Sequence, residues 1–441
     1  MINNVSVIGL GKLGSCMAAC FAAKGIPTIG VDLNAKNVEL LNKGQAPVEE
    51  TDLAAMIQKG SSRLKATTQY SQAILESDAT FVIVPTPSEP HGGFSLQFAS
   101  ESFREIGKAL RRKKGYHLVV LTSTVLPGAT ERELLPVLEK ESGKKCGADF
   151  GLCYSPEFIA LGSVIRDFLN PDFVLVGEHD SKAGELLAEF YKKVSDNNAP
   201  VARMSLANAE LTKIAVNSFM TMKISFANML AALCEQLPQG DVDVVTRALS
   251  LFGGVGPRSL SGGLGYGGPC LPRDNVALSY LAKSLGQEIC IPGAVDQFNR
   301  SLAGRLFGRI VREIKPGASV TLLGLAYKPH TWVIEESQGM ELAAKLCEQG
   351  FAVTVYDPKA MGAAKAVLKN KVAYAPNLEQ ALQNAEAVVI TTPDPSFKNI
   401  SWDKSVAAGN KVVFDVWRLY KDTLRDNPKI RYVGIGMGSE S

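Results

Sequence analysis

Short apolar runs that close on polar or glycine-bearing turns recur along the first third of the chain. Val5–Ile8, Pro27–Val31, Ala79–Val84, Leu118–Leu121 and the stretch opening at Leu152 lack the alternation of a half-exposed strand. Continuous runs of this length predict buried parallel strands. Between the first two, Ser15 to Lys24 reads as a helix, with Gly25 as its stop. From Ala207 to Glu235 the chain has neither Gly nor Pro, which predicts one long helix. Leu211, Ala215, Phe219, Met222, Phe226 and Leu230 fall at helical spacing and predict its packing stripe. Lys213 and Asn217 share a face, as do Glu210 and Asn217 two turns apart. A further helical stretch leads from Cys270 through Gln297 to Glu313, and Lys315-Pro316-Gly317 reads as a linker.

The strand pattern then returns in Val320–Leu325, Ala352–Tyr356 and Ala387–Ile390, with a helix over Ser337–Gln349. Val5 to Asp32 matches Val320 to Asp357, and Ala79 to Pro87 matches Ala387 to Pro395, so the chain carries a degenerate internal repeat. The expected fold is α/β: two Rossmann-like doubly wound domains joined by a helical central domain with one long helix. The boundaries fall at 1–200, 201–314 and 315–441, since a chain of this length exceeds a single core.

Composition narrows the partners. With 47 basic and 44 acidic residues interspersed, the net charge of +3 offers no basic tail or stripe for nucleic acid. Eight cysteines without a CxxC pair, and four histidines, argue against a metal site or disulfide framework and for a reducing compartment. No apolar run is long enough to cross a bilayer, and no leader pattern precedes Val5. The expectation is a cytoplasmic enzyme without a membrane or nucleic-acid partner.

Chemistry first shows at Gly9-Leu10-Gly11-Lys12-Leu13-Gly14, a GxGxxG between a strand and a helix, followed by Asp32 at the next strand end. Gly9 permits the tight turn, Gly11 lets a pyrophosphate approach, Gly14 allows close helix–strand packing, and the helix N-terminus attracts phosphate. Asp32 is placed to bind a ribose 2′-hydroxyl and repel a 2′-phosphate, so the expected cofactor is NAD rather than NADP. Thr86, in Pro85-Thr86-Pro87, ends a later strand and neighbours the same crevice, or simply turns the chain. Thr122, Ser123 and Thr124 suit hydrogen bonds to a nicotinamide or a substrate hydroxyl, and equally suit caps. Glu157, in Ser155-Pro156-Glu157-Phe158, is a surface acid or a base at the crevice, and Lys213 by itself reads as a solvated lysine.

The densest signal is Gly262-Gly263-Leu264-Gly265-Tyr266-Gly267-Gly268-Pro269-Cys270-Leu271-Pro272-Arg273-Asp274. The glycines allow close backbone approach and the prolines stiffen the path, as a presented thiol nucleophile requires. A glycine-rich surface loop with an inert cysteine has the same look. In the second repeat, Gly324-Leu325-Ala326-Tyr327-Lys328-Pro329 replaces GxGxxG, which predicts no second dinucleotide site of that kind but a cation suited to a nucleotide phosphate.

The order GLGKLG…VD, VPTP, TSTVLPG, SPEF, AELTKIAVNSF, GYGGPCLPRD, GLAYKP resembles the nucleotide-sugar 6-dehydrogenases, the family of UDP-glucose and GDP-mannose dehydrogenases, through essentially the whole chain. The resemblance implies an NAD-binding domain, a central domain that dimerises through its long helix, and a C-terminal domain binding the nucleotide sugar. It implies oxidation of the sugar C6 alcohol to a carboxylate in two NAD-dependent steps without release of the aldehyde. Cys270 would carry the aldehyde as a thiohemiacetal and then a thioester. Lys213 and Asn217 would meet the developing oxyanion. Asp274 would orient a water or Lys213, and Glu157 would be the base in thioester hydrolysis. Thr124 would bond near the nicotinamide or the reacting hydroxyl. Gly9, Gly11, Leu13, Gly14, Asp32, Thr86 and Arg273 would contact the cofactor. Phe158, Ile159, Tyr266 and Gly267 would line the sugar pocket, Lys328 would meet the phosphates, and Arg258 would reach a sugar hydroxyl across the dimer.

Three positions depart from the family pattern. Leu161 replaces a second loop acid, Arg273 replaces a lysine, and Glu335 stands where the family places an arginine. The SPEF stretch is closer to UDP-glucose and GDP-mannose enzymes than to N-acetylhexosamine ones, with UDP-glucose the first expectation. A two-electron hydroxyacid dehydrogenase would leave Cys270 and the second repeat without a use.

Overall fold

The computed structural model describes residues 1–402 and 411–439. Residues 403–410 and 440–441, which belong to the range expected for the last domain, lie outside the described residues. The chain divides into two compact units, Met1–Ala215 and the residues from Val216 onward.

The first unit is built on eight strands: β1 (Val5–Ile8), β2 (Thr28–Val31), β3 (Leu64–Thr67), β4 (Ala79–Val82), β5 (His117–Leu121), β6 (Phe150–Tyr154), β7 (Val174–Glu178) and β8 (Val201–Ser205). They lie in the order β3-β2-β1-β4-β5-β6-β7-β8. All pairs are parallel except β6 with β7. Every residue of β1, β4, β5 and β6 is buried, because helices cover both faces of a parallel sheet. Val5 and Val7 point into the core on one face, where Phe21, Phe81 and Phe190 meet, and Ile8 points into the core on the other. The strand order reverses between β1 and β4, which opens a crevice at their C-terminal ends. The helix expected to begin at Ser15 begins at Lys12, one residue after Gly11.

In the second unit, β9 (Ser319–Leu323), β10 (Ala352–Tyr356), β11 (Ala373–Tyr374), β12 (Ala387–Ile390), β13 (Lys411–Asp415) and β14 (Ile430–Gly434) form an all-parallel sheet. Its order, β11-β10-β9-β12-β13-β14, repeats that of the first six strands. The repeat reaches the level of single bonds. Gly9 and Gly324 both have positive φ, +92° and +109°. The next amide donates to the acid at the end of the neighbouring strand, Leu10 N to Asp32 Oδ2 and Leu325 N to Asp357 Oδ2, each at 2.7 Å. A Cβ on Gly14 would lie 1.8 Å from Gly9 O, and one on Gly339 would lie 2.7 Å from Gly324 O. Gly339 therefore does in the second copy what Gly14 does in the first, displaced along the sequence by the segment 325–337.

Two sequence expectations are corrected. The helical stretch after Cys270 is two helices, Leu271–Ser284 and Ile291–Glu313, parted at Gly286 with its φ of +69°. The long helix runs Leu206–Cys234 across the boundary of the units; of its predicted packing stripe, Met222 and Leu230 are half-buried, with Leu230 packed against Ala231, Cys234 and Val242, while the other members lie outward. Leu211, Phe219 and Phe226 are 41%, 56% and 45% exposed. The side it buries carries Glu210, Lys213, Ile214, Asn217, Thr221 and Asn228. Polar groups such as Glu210, Lys213 and Asn228, which hold loops by hydrogen bonds, share that side with small or apolar residues such as Ala209, Ile214, Ala227 and Ala231, so the spacing of the large apolar residues did not mark the buried face.

Candidate functional site

In the first unit the crevice between β1 and β4 is lined as a dinucleotide site requires. Gly9 and Gly14 are demanded by the protein, since a Cβ on either would strike backbone oxygen. Gly11 is not. It caps the helix Lys12–Ala23 with φ −75°, and a Cβ there would meet nothing within 4 Å. No packing in this structure asks for a glycine at that position, whereas a pyrophosphate seated on the helix N-terminus does. Leu13, in the first turn, is half-buried. Asp32 accepts from Leu10 N and Asn34 N, each at 2.7 Å, which aims its half-buried carboxylate along the crevice rim.

The ends of β4 and β5 are tied together there. Thr86 Oγ1 donates to Thr124 O at 2.7 Å, and Ser123 Oγ both accepts from Val84 N and donates to Val84 O. Of the three hydroxyls, Ser123 thus serves the fold, and Thr124 remains half-buried at the rim. The turn that follows is held by Glu210, which is fully buried and accepts from Gly128 N and from Thr130 N. Burial raises its carboxyl pKa, partly offset by those bonds. Sequence spacing placed Glu210 on the face of Asn217 but gave no sign that it anchors this turn.

Lys213 is only 8% exposed, which removes the solvated reading. Its Nζ donates to Glu157 O at 2.8 Å and sits 4.6 Å from the centre of the Phe158 ring. Phe158 in turn packs on Phe173. Tyr191 Oη donates to Glu157 Oε1 at 3.1 Å and accepts from Ser155 Oγ. Burial raises the Glu157 carboxyl to about 7, with the Tyr191 bond and the Lys213 charge opposing the rise. A carboxyl balanced near neutrality is suited to proton exchange. Tyr191, on the helix Ser181–Val194, has no local signal in the sequence. Ile159 and Leu161 pack against the core, so the expected second acid is replaced by a packing residue. The carboxylate that braces this loop is Glu50, accepting from Gly162 N and Val164 N.

In the second unit, Cys270 is exposed and stands as N-cap of the helix Leu271–Ser284, with Pro272 in the first turn. The dipole of that helix favours a thiolate at its N-terminus. The loop before it is held residue by residue. Asn228 accepts from Gly263 N at 2.7 Å and donates to Leu264 O at 3.2 Å. Gly265 N donates to Gln338, Tyr266 exchanges two bonds with Asn299, and Gly268 N donates to Glu335 O. A Cβ on Gly267 would lie 2.3 Å from Glu336 O, so that glycine is fixed by packing whether or not a sugar lies on its other side.

Asn217 Nδ2 donates to Asp274 Oδ2 at 2.6 Å, and Arg273 Nε pairs with Asp274 Oδ1 at 3.3 Å. Asp274 is 1% exposed, so these two donors carry its charge. Asn217 was expected to direct its amide at a substrate oxygen; one N–H goes to Asp274 and one is left. Tyr266 is buried, Arg258 is exposed, and Lys328 is half-buried in the segment after β9. The Glu335 side chain is exposed while its carbonyl holds Gly268. Among the described residues no group of three or more His, Cys, Asp or Glu is placed to hold a metal ion, and no helix is long and apolar enough to cross a membrane.

Three sequence profiles of the UDP-glucose/GDP-mannose dehydrogenase family match: the NAD binding domain over residues 3–195, the central domain over 207–301 and the UDP binding domain over 321–422. A UDP-glucose 6-dehydrogenase of Haloferax volcanii is 34% identical over 94% of this chain and 96% of its own. A GDP-mannose 6-dehydrogenase of Pseudomonas putida is 32% identical over 95% and 97%. The solved structure of a UDP-glucose dehydrogenase from Pyrobaculum islandicum superposes with a TM-score of 0.89 at 34% identity, covering 99% of this chain and 98% of that one.

Proposed function

The chain belongs to the UDP-glucose/GDP-mannose dehydrogenase family, an NAD-dependent oxidoreductase, and we propose that it oxidises the C6 alcohol of UDP-glucose to the carboxylate with Cys270 holding the intermediates. The observation that carries this reading is the exposed Cys270 thiol at a helix N-terminus, on a loop anchored at Gly263, Leu264, Gly265, Tyr266 and Gly268.

Gly9, Gly11, Leu13, Gly14 and Asp32 would hold NAD, with Thr86, Thr124 and Arg273 as further contacts. When bound, NAD supplies the two-electron oxidant for each oxidation. Loss of hydride and proton from the C6 alcohol leaves an aldehyde. The Cys270 thiolate adds to C6, forming a C–S bond, and the oxygen takes a proton to give the thiohemiacetal. Lys213 and the free N–H of Asn217 stabilise the negative charge on that oxygen as it forms. Asp274 keeps the Asn217 amide oriented, as their 2.6 Å bond supports. A second loss of hydride and proton yields the thioester. Glu157 takes a proton from water, the hydroxide adds to the carbonyl, the C–S bond breaks, and Cys270 leaves as thiolate.

Phe158, Ile159, Tyr266 and Gly267 line the sugar, and Lys328 meets its phosphates. We assign the outward stripe of the long helix, with Met229 and Leu233 continuing it, to a homodimer, across which Arg258 reaches a sugar hydroxyl. The eight free cysteines fit work in the reducing cytoplasm. GDP-mannose is the second reading, favoured by the 32% identical relative.

Two NADH per sugar consumed, with no free aldehyde, is the expected stoichiometry. One NADH per sugar overturns the four-electron reading, and normal acid production by Cys270→Ser overturns the nucleophile. The same NADH readout with UDP-glucose and GDP-mannose in parallel decides the sugar.

A further inference from the structure

The second unit contains a cavity of about 480 Å3 that none of the proposed chemistry uses. Ala231, Leu264, Leu302, Leu306 and Ile435 make its apolar floor, and Arg305, Arg309 and Arg312 of the helix Ile291–Glu313 make one wall. The three arginines lie within two turns on one face, an arrangement that like-charge repulsion disfavours unless something negative offsets it. Two carboxylates offset part of it: Arg309 Nη1 pairs with Glu235 at 3.0 Å, a carboxylate that also accepts from Gly436 N, and Glu313, bonded to Arg431, attracts Arg309 and Arg312 electrostatically. Among the described residues Arg305 has no ion-pair or hydrogen-bond partner, and the one bond of Arg312 runs from Nε to Gly308 O at 3.1 Å.

Gly293, Gly304 and Gly308 of this helix all have open space where a Cβ would stand, and of the three only Gly308 borders the cavity. Gly308 lines the cavity in a helix interior, where glycine is less favourable than alanine. A Cβ there would meet nothing within 4 Å, so no protein contact requires the glycine. Gly308 therefore adds no side chain to the cavity wall beside the arginines. The cavity also lies apart from the outward apolar stripe. The lining residues on the long helix, Asn228, Ala231 and Ala232, have a mean direction roughly 150° from that of the stripe, at 100° per residue.

We propose that this cavity binds a small phosphate-bearing molecule with a flat apolar body, a nucleoside phosphate in class, and that occupancy is felt at the cysteine loop. Arg305 and Arg312 take the phosphate, the apolar floor takes the base, and the volume is ordinary for such a ligand. The path to the loop is short. Asn228 lines the cavity and is the residue that clamps Gly263 N and Leu264 O, upstream of Cys270. The coupling half rests on the proposed role of Cys270, and the binding half does not.

The test is calorimetric titration of the full chain with CMP, comparing wild type with Arg305→Glu/Arg312→Glu and with Gly308→Leu. Wild type is expected to bind one more equivalent of CMP than either variant, or to bind at least tenfold more tightly. Both variants are expected to keep wild-type KM values for NAD and sugar, which also shows that they are folded. Equal CMP binding in all three proteins, or none in any, overturns the site. For the coupling, the rate of Cys270 alkylation by iodoacetamide is followed on the Cys270 peptide by mass spectrometry. CMP should change that rate at least twofold in wild type and leave it unchanged in the double variant; an unchanged rate in wild type overturns the coupling. Alkylation and calorimetry do not depend on turnover, so a failed NADH stoichiometry would leave both results standing.

Discussion

Glu157 and Gly11 each separate a functional demand from a structural one. With its carboxyl raised to about 7 by burial, Glu157 is mostly protonated below that pH and cannot accept a proton from water. Thioester hydrolysis should therefore rise about tenfold per pH unit and level above about pH 7. Tyr191 donates to the ionised carboxylate and favours it. Tyr191→Phe should move the rising limb to higher pH, and Glu157→Gln should remove the limb and let the acyl-enzyme accumulate, seen by intact mass. An unchanged profile in both variants would place the base elsewhere. The two glycines give a sharper contrast. Gly14→Ala puts a methyl 1.8 Å from Gly9 O and should destabilise by about 2–3 kcal/mol in denaturant unfolding. Gly11→Ala should leave stability unchanged within about 0.5 kcal/mol and raise KM for NAD at least tenfold. Equal effects on stability would refute the assignment. The motif already assigns Gly11 to the pyrophosphate and Gly14 to packing; the structure adds the distances, a backbone clash at Gly9 and Gly14 and open space at Gly11.

The long helix shows how far an element can be read from its pattern. Its extent was legible to within a residue or two because neither Gly nor Pro interrupts it. The outward turn of Leu211, Phe219 and Phe226 was not, because hydropathy reports that a face must be covered and is silent on what covers it. Phe219→Asp/Phe226→Asp should convert a dimer to a monomer in light scattering coupled to size exclusion. An unchanged mass in the variant would remove the stripe from the interface. The same limit applies to the strands. β1, β4, β5 and β12 stood out because both their faces are buried, whereas β3 and β8, at the two edges of their sheet and of similar length, are partly exposed. The cysteine loop was legible as a place for chemistry. Its anchors were not, since Asn299, Asn228 and Gln338 lie 33, 35 and 73 residues from their partners in sequence.

At the scale of the whole chain, the internal repeat was visible in the sequence as two strand–turn–strand segments, and the structure extends it to an identical strand order and a shared bond from strand end to loop. The copies part at the acid. Asp32 keeps acceptor capacity beyond its two backbone bonds and its longer contact with Asn37. Asp357 accepts from Leu325 N and Ala326 N on one oxygen and from Lys359 N and Ala360 N on the other. A carboxylate offers about four lone-pair sites, and here the backbone fills all of them. A ribose hydroxyl arriving at the second sheet would find no lone pair left to share, so the duplicated acid has become a fastener for the loop that leads to Lys328.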